Sequence, residues 1–249
     1  MIKICFLGTN GWFDTSTGNT PCVLIKSKEY NIIFDAGNGI YKLDKYIKDE
    51  KPIYLFLSHL HLDHISGLHI FSKFRFTQGI KIGVSKKRLK AIKNFTKRPF
   101  TRPYSELDLK IEFFEFDSKK SNLPFEFKYF KMFHDDLAFG FRLTLDGKTI
   151  AYSGDTGICK NSLALAKSAD LLIHECTFES GHPKDPWGHV TPETVAKLAK
   201  EAKVKKLYLI HFDANIYTSL AMRYNAEKIA QKIFPNTFAA TDGLVINLL

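Results

Sequence analysis

The stretch "SHLHLDHISG" (58–67) sets three histidines and an aspartate within six positions, directly after the apolar run "PIYLFL". A run of this kind reads as a buried strand that has just ended. His59, His61, Asp63 and His64 then crowd imidazole and carboxylate onto the turn that follows. Polar groups of these types in so apolar a setting must be neutralised or paired. A divalent ion does both, because imidazole nitrogen and carboxylate oxygen are the usual ligands of zinc and related metals. Alternation along the stretch aims His59, His61 and Asp63 to one side and Leu60 and Leu62 into the core, with His64 opening the next helix. The adjacent Asp63 and His64 do not bend easily onto the ion held by His59 and His61, which favours two ions. A dinuclear site, with its metals roughly 3.5–4 Å apart, calls for about three further ligands. His134 after "FEFKYFKMF", Asp155 after "TIAYSG" and His211 after "KLYLI" are the candidates, each at the end of a strand pattern.

The rest of the chain offers ample scaffold for such a turn. Its 249 residues are 45% hydrophobic, with no low-complexity tract, long linker or fixed-period repeat, and it reads as a single domain over 1–249. Strand patterns occupy 2–8, 20–27, 30–37, 52–59, 80–84, 109–116, 125–133, 139–154, 170–178, 206–212 and 243–249. Helical periodicity appears in "GIYKLDKYIKD", "SGLHIFSKF", "SKKRLKAIKNF", "NSLALAKSA", "TPETVAKLAKEA" and "LAMRYNAEKIAQKIF". This order predicts an α/β architecture of two packed sheets with helices outside. Ahead of "VAKLAKEA", Thr191 stands at the N-cap, Pro192 at the first helical position and Glu193 in the positively polarised first turn. His189 is thereby held at a loop-to-helix corner.

Several classes are excluded or disfavoured. Cys5, Cys22, Cys159 and Cys176 are far apart with no Cys-x-x-Cys pair, which argues against a thiolate metal site or a disulfide framework and for a reducing cytoplasm. The opening "MIKICFLGTNG" lacks the charged and apolar regions of a leader, and no run approaches the roughly 20 apolar residues of a membrane span. A cytoplasmic protein without a membrane partner is expected. The net charge of +10 suits a polyanionic partner, although solvated surface lysines account for it equally well. The run "SKKRLKAIKNFTKRPFTR" (85–102) contains no acid at all and is long enough to follow a phosphate backbone.

Taken in order, "HLHLDH", "HDDLAFGF", "SGDTG" and "IHF" resemble the metallo-β-lactamase superfamily of metallohydrolases. The resemblance implies a four-layer αββα sandwich, the metallo-β-lactamase fold, with two divalent metal ions at one edge. His59, His61 and His134 would hold one ion, Asp63, His64 and His211 the other, and Asp155 would bridge them. With nitrogen and oxygen ligands only, zinc leads, and manganese and iron are admissible. The zinc β-lactamases carry cysteine where Asp155 stands, which disfavours β-lactam hydrolysis, and glyoxalase-like thioesterases carry a helical domain after the last ligand, which weakens that reading.

The second half is similar to the ribonuclease Z branch of phosphodiesterases. "DLLIHECTF" resembles that family's His-Glu-Ala-Thr segment, and "WGHVTPETVAKLAKEAKVKKLYLIHF" its His-Ser-Thr segment and the approach to the last ligand. "FLGTNG" and "ATDGLVINL" resemble its two ends. By this resemblance Glu175 and His189 fall on catalytic helper positions, with Cys176 and Val190 replacing Ala and Ser. One departure concerns the flexible Gly/Pro-rich arm that transfer-RNA-processing members insert between the third and fourth ligand motifs. From His134 to Asp155 the chain has room for a hairpin only.

The expected activity is hydrolysis of a phosphodiester, in RNA or in a small or cyclic nucleotide, with a homodimer among the admissible assemblies. Two cations would activate water and neutralise phosphate oxygens. Asp63 would orient the water and take a proton, and His189, polarised by Glu175, would protonate the leaving oxygen. Trp12 or Phe13, in the loop after the first strand, could stack on a base or merely plug the sandwich edge. His69, His174 and His182 receive no role. The rival classes are a lactone or thioester hydrolase on the same metals and an RNA-binding protein that holds metal structurally.

Overall fold

The structure is a computed structural model that describes residues 1–119, 122–183 and 186–249. One sheet runs in the order β15 (Val245–Leu248), β1 (Ile2–Gly8), β3 (Cys22–Lys26), β4 (Asn31–Phe34), β5 (Ile53–Phe56), β6 (Ile80–Val84) and β7 (Ile111–Glu115). The other runs β14 (Thr237–Ala239), β12 (Leu207–Ile210), β11 (Leu171–Glu175), β10 (Lys148–Tyr152), β9 (Phe139–Leu145) and β8 (Glu126–Lys131). Each sheet has an antiparallel part and a parallel part, β4 to β7 in the first and β10, β11, β12 and β14 in the second. A small parallel pair, β2 (Asn10–Gly11) with β13 (Phe212–Asp213), ties the loop after β1 to the end of β12.

Both faces of the central strands are apolar, because each sheet is covered twice. In β1, Ile2, Ile4 and Phe6 face the other sheet while Cys5 and Leu7 face helices. Between the sheets lies a ring-rich core: Phe34 stacks on Tyr152 at 4.8 Å, Phe56 on Phe127 at 4.5 Å, and Phe141 touches rings from both sheets. Outside the first sheet pack α1 (Leu43–Tyr46), α2 (Leu62–Ile65), α3 (Leu89–Phe95) and the 3-10 segments Asn38–Lys42 and Ser66–Lys73. Outside the second pack α4 (Lys160–Ala166), α5 (Pro192–Glu201) and α6 (Leu220–Gln231). The layers are therefore αββα. Among the described residues no helix is long and apolar enough to cross a membrane.

Local details depart from the sequence expectations for physical reasons. "SGLHIFSKF" is a 3-10 helix, and Leu68, Phe71 and Phe74, all fully buried, recur every three residues, the period at which a 3-10 helix stacks side chains. Thr191 occupies the N-cap of α5 without capping a backbone N–H, its hydroxyl meeting that of Thr194 at 2.9 Å instead. Leu62 does not point into the core but is 67% exposed, because α2 has already begun and turns it outward. The pair β2 and β13 and the short strand β14 carry too little alternation to be read from sequence. The connection from His134 to Asp155 is a hairpin closed by Asp146 and Gly147, both at positive φ as a two-residue turn requires.

Phe141→Ala should lower the unfolding free energy by about 3–5 kcal/mol, since it opens a cavity where both sheets meet. Urea denaturation followed by tryptophan fluorescence measures the loss.

Candidate metal centre

The strands β4, β5, β10, β11 and β12 all end at the same edge of the sandwich, where open α/β sheets bind ligands. Asp35 follows β4, Ser58 and His59 follow β5, Asp155 follows β10, Glu175 closes β11 and His211 follows β12. Backbone strain marks this edge: Asp35 (φ 58°), His211 (φ 54°) and Trp12 (φ 75°) are non-glycine residues in the left-handed region. Close packing marks it too. A Cβ on Gly11 would lie 2.6 Å from the His211 ring, so only glycine lets β2 approach that imidazole.

All seven residues predicted as ligands come together. The His59, His61 and His134 rings have centroids 4.6–5.0 Å apart, and His61 Nδ1 lies 3.3 Å from His134 Nε2. Asp155 adjoins this trio through Oδ2, 3.6 Å from His59 Nε2. It also reaches the second group, with Oδ1 3.3 Å from His64 Nε2 and Oδ2 3.2 Å from His211 Nε2. Asp63 Oδ2 completes that group, 3.2 Å from His211 Nε2 and 3.6 Å from His64 Nε2. His59, His61, His134 and Asp155 thus form one set able to hold a metal, and Asp63, His64 and His211 another. Asp63 and His64 separate from His59 and His61 because they lie on α2, which begins one residue after His61.

The nitrogens turned away from the cluster are held. His59 Nδ1 meets Ser58 Oγ at 3.0 Å, His64 Nδ1 meets Asp35 Oδ2 at 2.8 Å, His134 Nδ1 meets the Trp187 carbonyl at 3.1 Å, and His211 Nδ1 meets Thr177 Oγ1 at 3.0 Å. Such partners fix ring orientation and raise ligand basicity. The inward atoms His59 Nε2, His64 Nε2 and Asp155 Oδ1 are buried and have no hydrogen-bond partner among the described residues. Buried polar atoms are seldom left so, and their donor set is the one a divalent cation takes.

Charge favours the same reading. Burial alone would raise the Asp63 and Asp155 carboxyls, yet the facing His64 and His211 rings hold both well below the usual range. Burial alone would lower His64 and His211, yet Asp155 and Asp63 hold both above the usual imidazole value. His59 behaves oppositely: burial and the neighbouring His64 push it well below. The carboxylates thus create a strongly cation-seeking point inside an apolar fold.

Beside the cluster, Glu175 is fully buried and its Oε1 accepts from Thr156 N at 2.7 Å and pairs with His189 Nδ1 at 2.8 Å. Oε2 accepts from Thr177 Oγ1 at 2.6 Å. Burial would raise this carboxyl, but His189 holds it below the ordinary value. His189 lines a cavity of about 690 Å³ together with Asp63, His134, Asp155, His211 and the exposed indoles Trp12 and Trp187. The Trp12 backbone N–H donates to Asp63 Oδ2 at 3.0 Å, so the loop after β1 does border the cluster. Phe13 is not among the lining residues.

Asp35 is the chief residue that sequence reasoning missed. Fully buried, it accepts from Ser58 N (2.7 Å), Ser58 Oγ (2.8 Å) and Tyr152 Oη (2.6 Å) as well as pairing with His64. Its signal was present: "NIIFDAG" breaks an apolar run with a carboxylate, as "TIAYSGD" does. Thr177 and Trp187 gave no such signal, because a threonine and a loop tryptophan are unremarkable until folding places them. His174 is buried in β11, with Nδ1 2.9 Å from the Glu175 carbonyl, and His182 stacks on Phe178 at 3.8 Å, so neither joins the cluster. Asp35→Asn should weaken divalent-metal affinity about 10- to 100-fold, as measured by competition with a chromophoric chelator.

The chain is 28% identical to ribonuclease Z from Enterococcus faecalis over 308 aligned positions, covering 99% of this chain and 97% of that protein. Its fold is similar to the crystal structure of the metallo-beta-lactamase fold protein YhfI from Bacillus subtilis, with a TM-score of 0.81, 24% identity and coverage of 99% and 100% of the two chains. It is also similar to the short form of human tRNase Z, with a TM-score of 0.76, 24% identity and 99% of both chains covered. The family model described as the beta-lactamase superfamily domain matches residues 30–212, most of both sheets and all seven clustered residues, and the chain belongs to that superfamily.

Proposed function

We propose that the protein is a dinuclear metal-dependent phosphodiesterase in which Glu175 and His189 deliver a proton to the leaving oxygen. The observation that carries this reading is the 2.8 Å contact between buried Glu175 and His189 on the wall of the cavity that the clustered ligands share. The names of the ribonuclease Z and tRNase Z relatives support a phosphodiester in RNA as substrate. His59, His61, His134 and Asp155 would hold one cation, and Asp63, His64 and His211 the other, with Asp155 shared. Divalent cations bound there would supply acidified water and neutralise charge on the phosphate oxygens. Zinc is the best match to a donor set of nitrogen and oxygen alone, ahead of manganese and iron. Four free cysteines suit a reducing cytoplasm.

The remaining work falls to the chain itself. Glu175 takes the Nδ1 side of His189, which leaves Nε2 to carry the transferable proton. The carboxylate is held by the Thr156 and Thr177 backbone N–H groups and the Thr177 hydroxyl, so it cannot swing away from the imidazole. A histidine oriented by a buried carboxylate is a common form of general acid. Asp63, anchored by the Trp12 N–H, is assigned to orienting the attacking water and receiving its proton. Phe178, Trp12 and Trp187 supply apolar wall to the cavity. Carbonyl hydrolysis of a lactone or thioester has no comparable need for the Glu175 and His189 pair.

Treatment with a chelator should abolish hydrolysis of a bis-aryl phosphate, and zinc or manganese should restore it; elemental analysis should find about two equivalents of metal. His189→Ala should lower kcat on an alkyl diester about 10²- to 10⁴-fold while metal content stays the same. The loss should be much smaller on a bis-aryl phosphate, whose leaving group needs little protonation. Equal losses on both substrates would refute the proton-donor role.

A further inference from the structure

The basic run 85–102 is not used by the site described so far, and the structure sorts its charges. Arg88 is committed to Asp136, and Arg98 and Arg102 share Glu106. Lys86, Lys87, Lys90, Lys93 and Lys97 are exposed, and among the described residues none has an acidic partner within ion-pair range. Lys86, Lys90, Lys93 and Lys97 recur at helical spacing along α3 and its two flanking turns and are exposed, whereas Ile92 and Thr96 between them are buried.

This segment is fastened at both ends to elements that carry clustered residues. At its start Arg88 grips Asp136, next to the cavity-lining Asp135 and His134. At its end the Thr101 hydroxyl donates to the His69 carbonyl at 3.4 Å and the Tyr104 hydroxyl to the Leu68 carbonyl at 2.9 Å, on the 3-10 segment that continues directly from α2. Phe100, 64% exposed and stacked on Phe95 at 6.1 Å, stands in the same stretch with one ring face available.

Building on the phosphodiesterase reading, we propose that the substrate is an RNA whose backbone lies along Lys86, Lys90, Lys93 and Lys97, with Phe100 stacking on an unpaired base. Regularly spaced exposed lysines followed by an exposed aromatic ring make a combination suited to single-stranded nucleic acid. An anionic membrane surface would ask instead for apolar side chains between the lysines. The exposed residues there are Ala91 and Asn94, and the larger apolar side chains of α3 face the fold. With no inserted arm between His134 and Asp155, this ridge gives the chain a second place to hold a long substrate beside its cavity.

The test uses fluorescence anisotropy of a labelled single-stranded RNA across a salt series of about 50 to 200 mM. It compares wild type, the fourfold variant Lys86→Gln, Lys90→Gln, Lys93→Gln, Lys97→Gln, and a control of equal charge, Lys167→Gln, Lys200→Gln, Lys228→Gln, Lys232→Gln, on the opposite helical layer. The ridge variant should flatten the slope of log affinity against log salt by about 3 and bind at least about tenfold more weakly at the lowest salt. The control should match wild type. Phe100→Ala should weaken binding about 5- to 100-fold with the slope unchanged. Equal losses in the ridge and control variants, or an unaltered slope in the ridge variant, would overturn the proposal. So would preferential binding to phosphatidylserine vesicles over RNA. Metal-dependent hydrolysis of a bis-aryl phosphate by a wild type that binds no RNA would overturn the ridge and leave the enzyme reading standing. A metal-loaded wild type with no hydrolysis of either substrate would overturn both.

Discussion

The structure depends on what happens to Asp35. A fully buried carboxylate with no counter-ion of its own would be among the most expensive groups a fold could carry. Here it is satisfied by three different parts of the chain: the turn after β5, the helix that bears His64, and Tyr152 reaching across from the second sheet. Those bonds hold the two sheets together at the edge where the clustered residues meet. The aromatic core sets the spacing of the sheets, and Phe34, the residue immediately before Asp35, stacks directly on Tyr152. Packing and polar satisfaction therefore share the same residues, and a shift in either would displace His64.

From that anchor the chemistry of the edge follows in layers. Carboxylates and imidazoles gather at strand ends because the strands stop together, and outer partners turn the His59, His64, His134 and His211 rings so that one nitrogen faces inward. The same device is repeated beside the cluster, where Glu175 is pinned by backbone N–H groups and orients His189. Both arrangements use a buried acid to aim an imidazole. They differ in accessibility: His64 is sealed within the cluster, whereas His189 opens onto the cavity.

Much of this was legible in the sequence. The ligand-type residues were found because each interrupts an apolar run, and the strands because β-branched and aromatic residues dominate them. The layered fold came from the motif resemblance together with the alternation of strands and helices. The errors have local causes. Leu62 was placed inside by extending strand alternation into residues that are already helical, and Thr191 was expected to cap backbone rather than a neighbouring hydroxyl. Asp35 carries the same signal in sequence but stands alone, without a histidine beside it to mark it as part of a site. Thr177 and Trp187 act through contacts between segments distant in sequence, which no local pattern encodes. The lysine ridge was visible as composition, but only the fold shows which of its charges are already spent.

The hairpin between β9 and β10 connects the His134 and Asp155 segments by turning at Asp146 and Gly147, and a side chain added at Gly147 would meet nothing within 4 Å. That tip stands at the other end of both strands from the metal-binding edge, a separation of roughly 20 Å at the ordinary rise of a β-strand. Extra residues spliced in beside Gly147 would project into solvent, with Asp146 left to accept from the Lys28 N–H at 3.1 Å. The turn is thus a natural grafting point, suited to a fluorophore, an affinity handle or a whole recognition module.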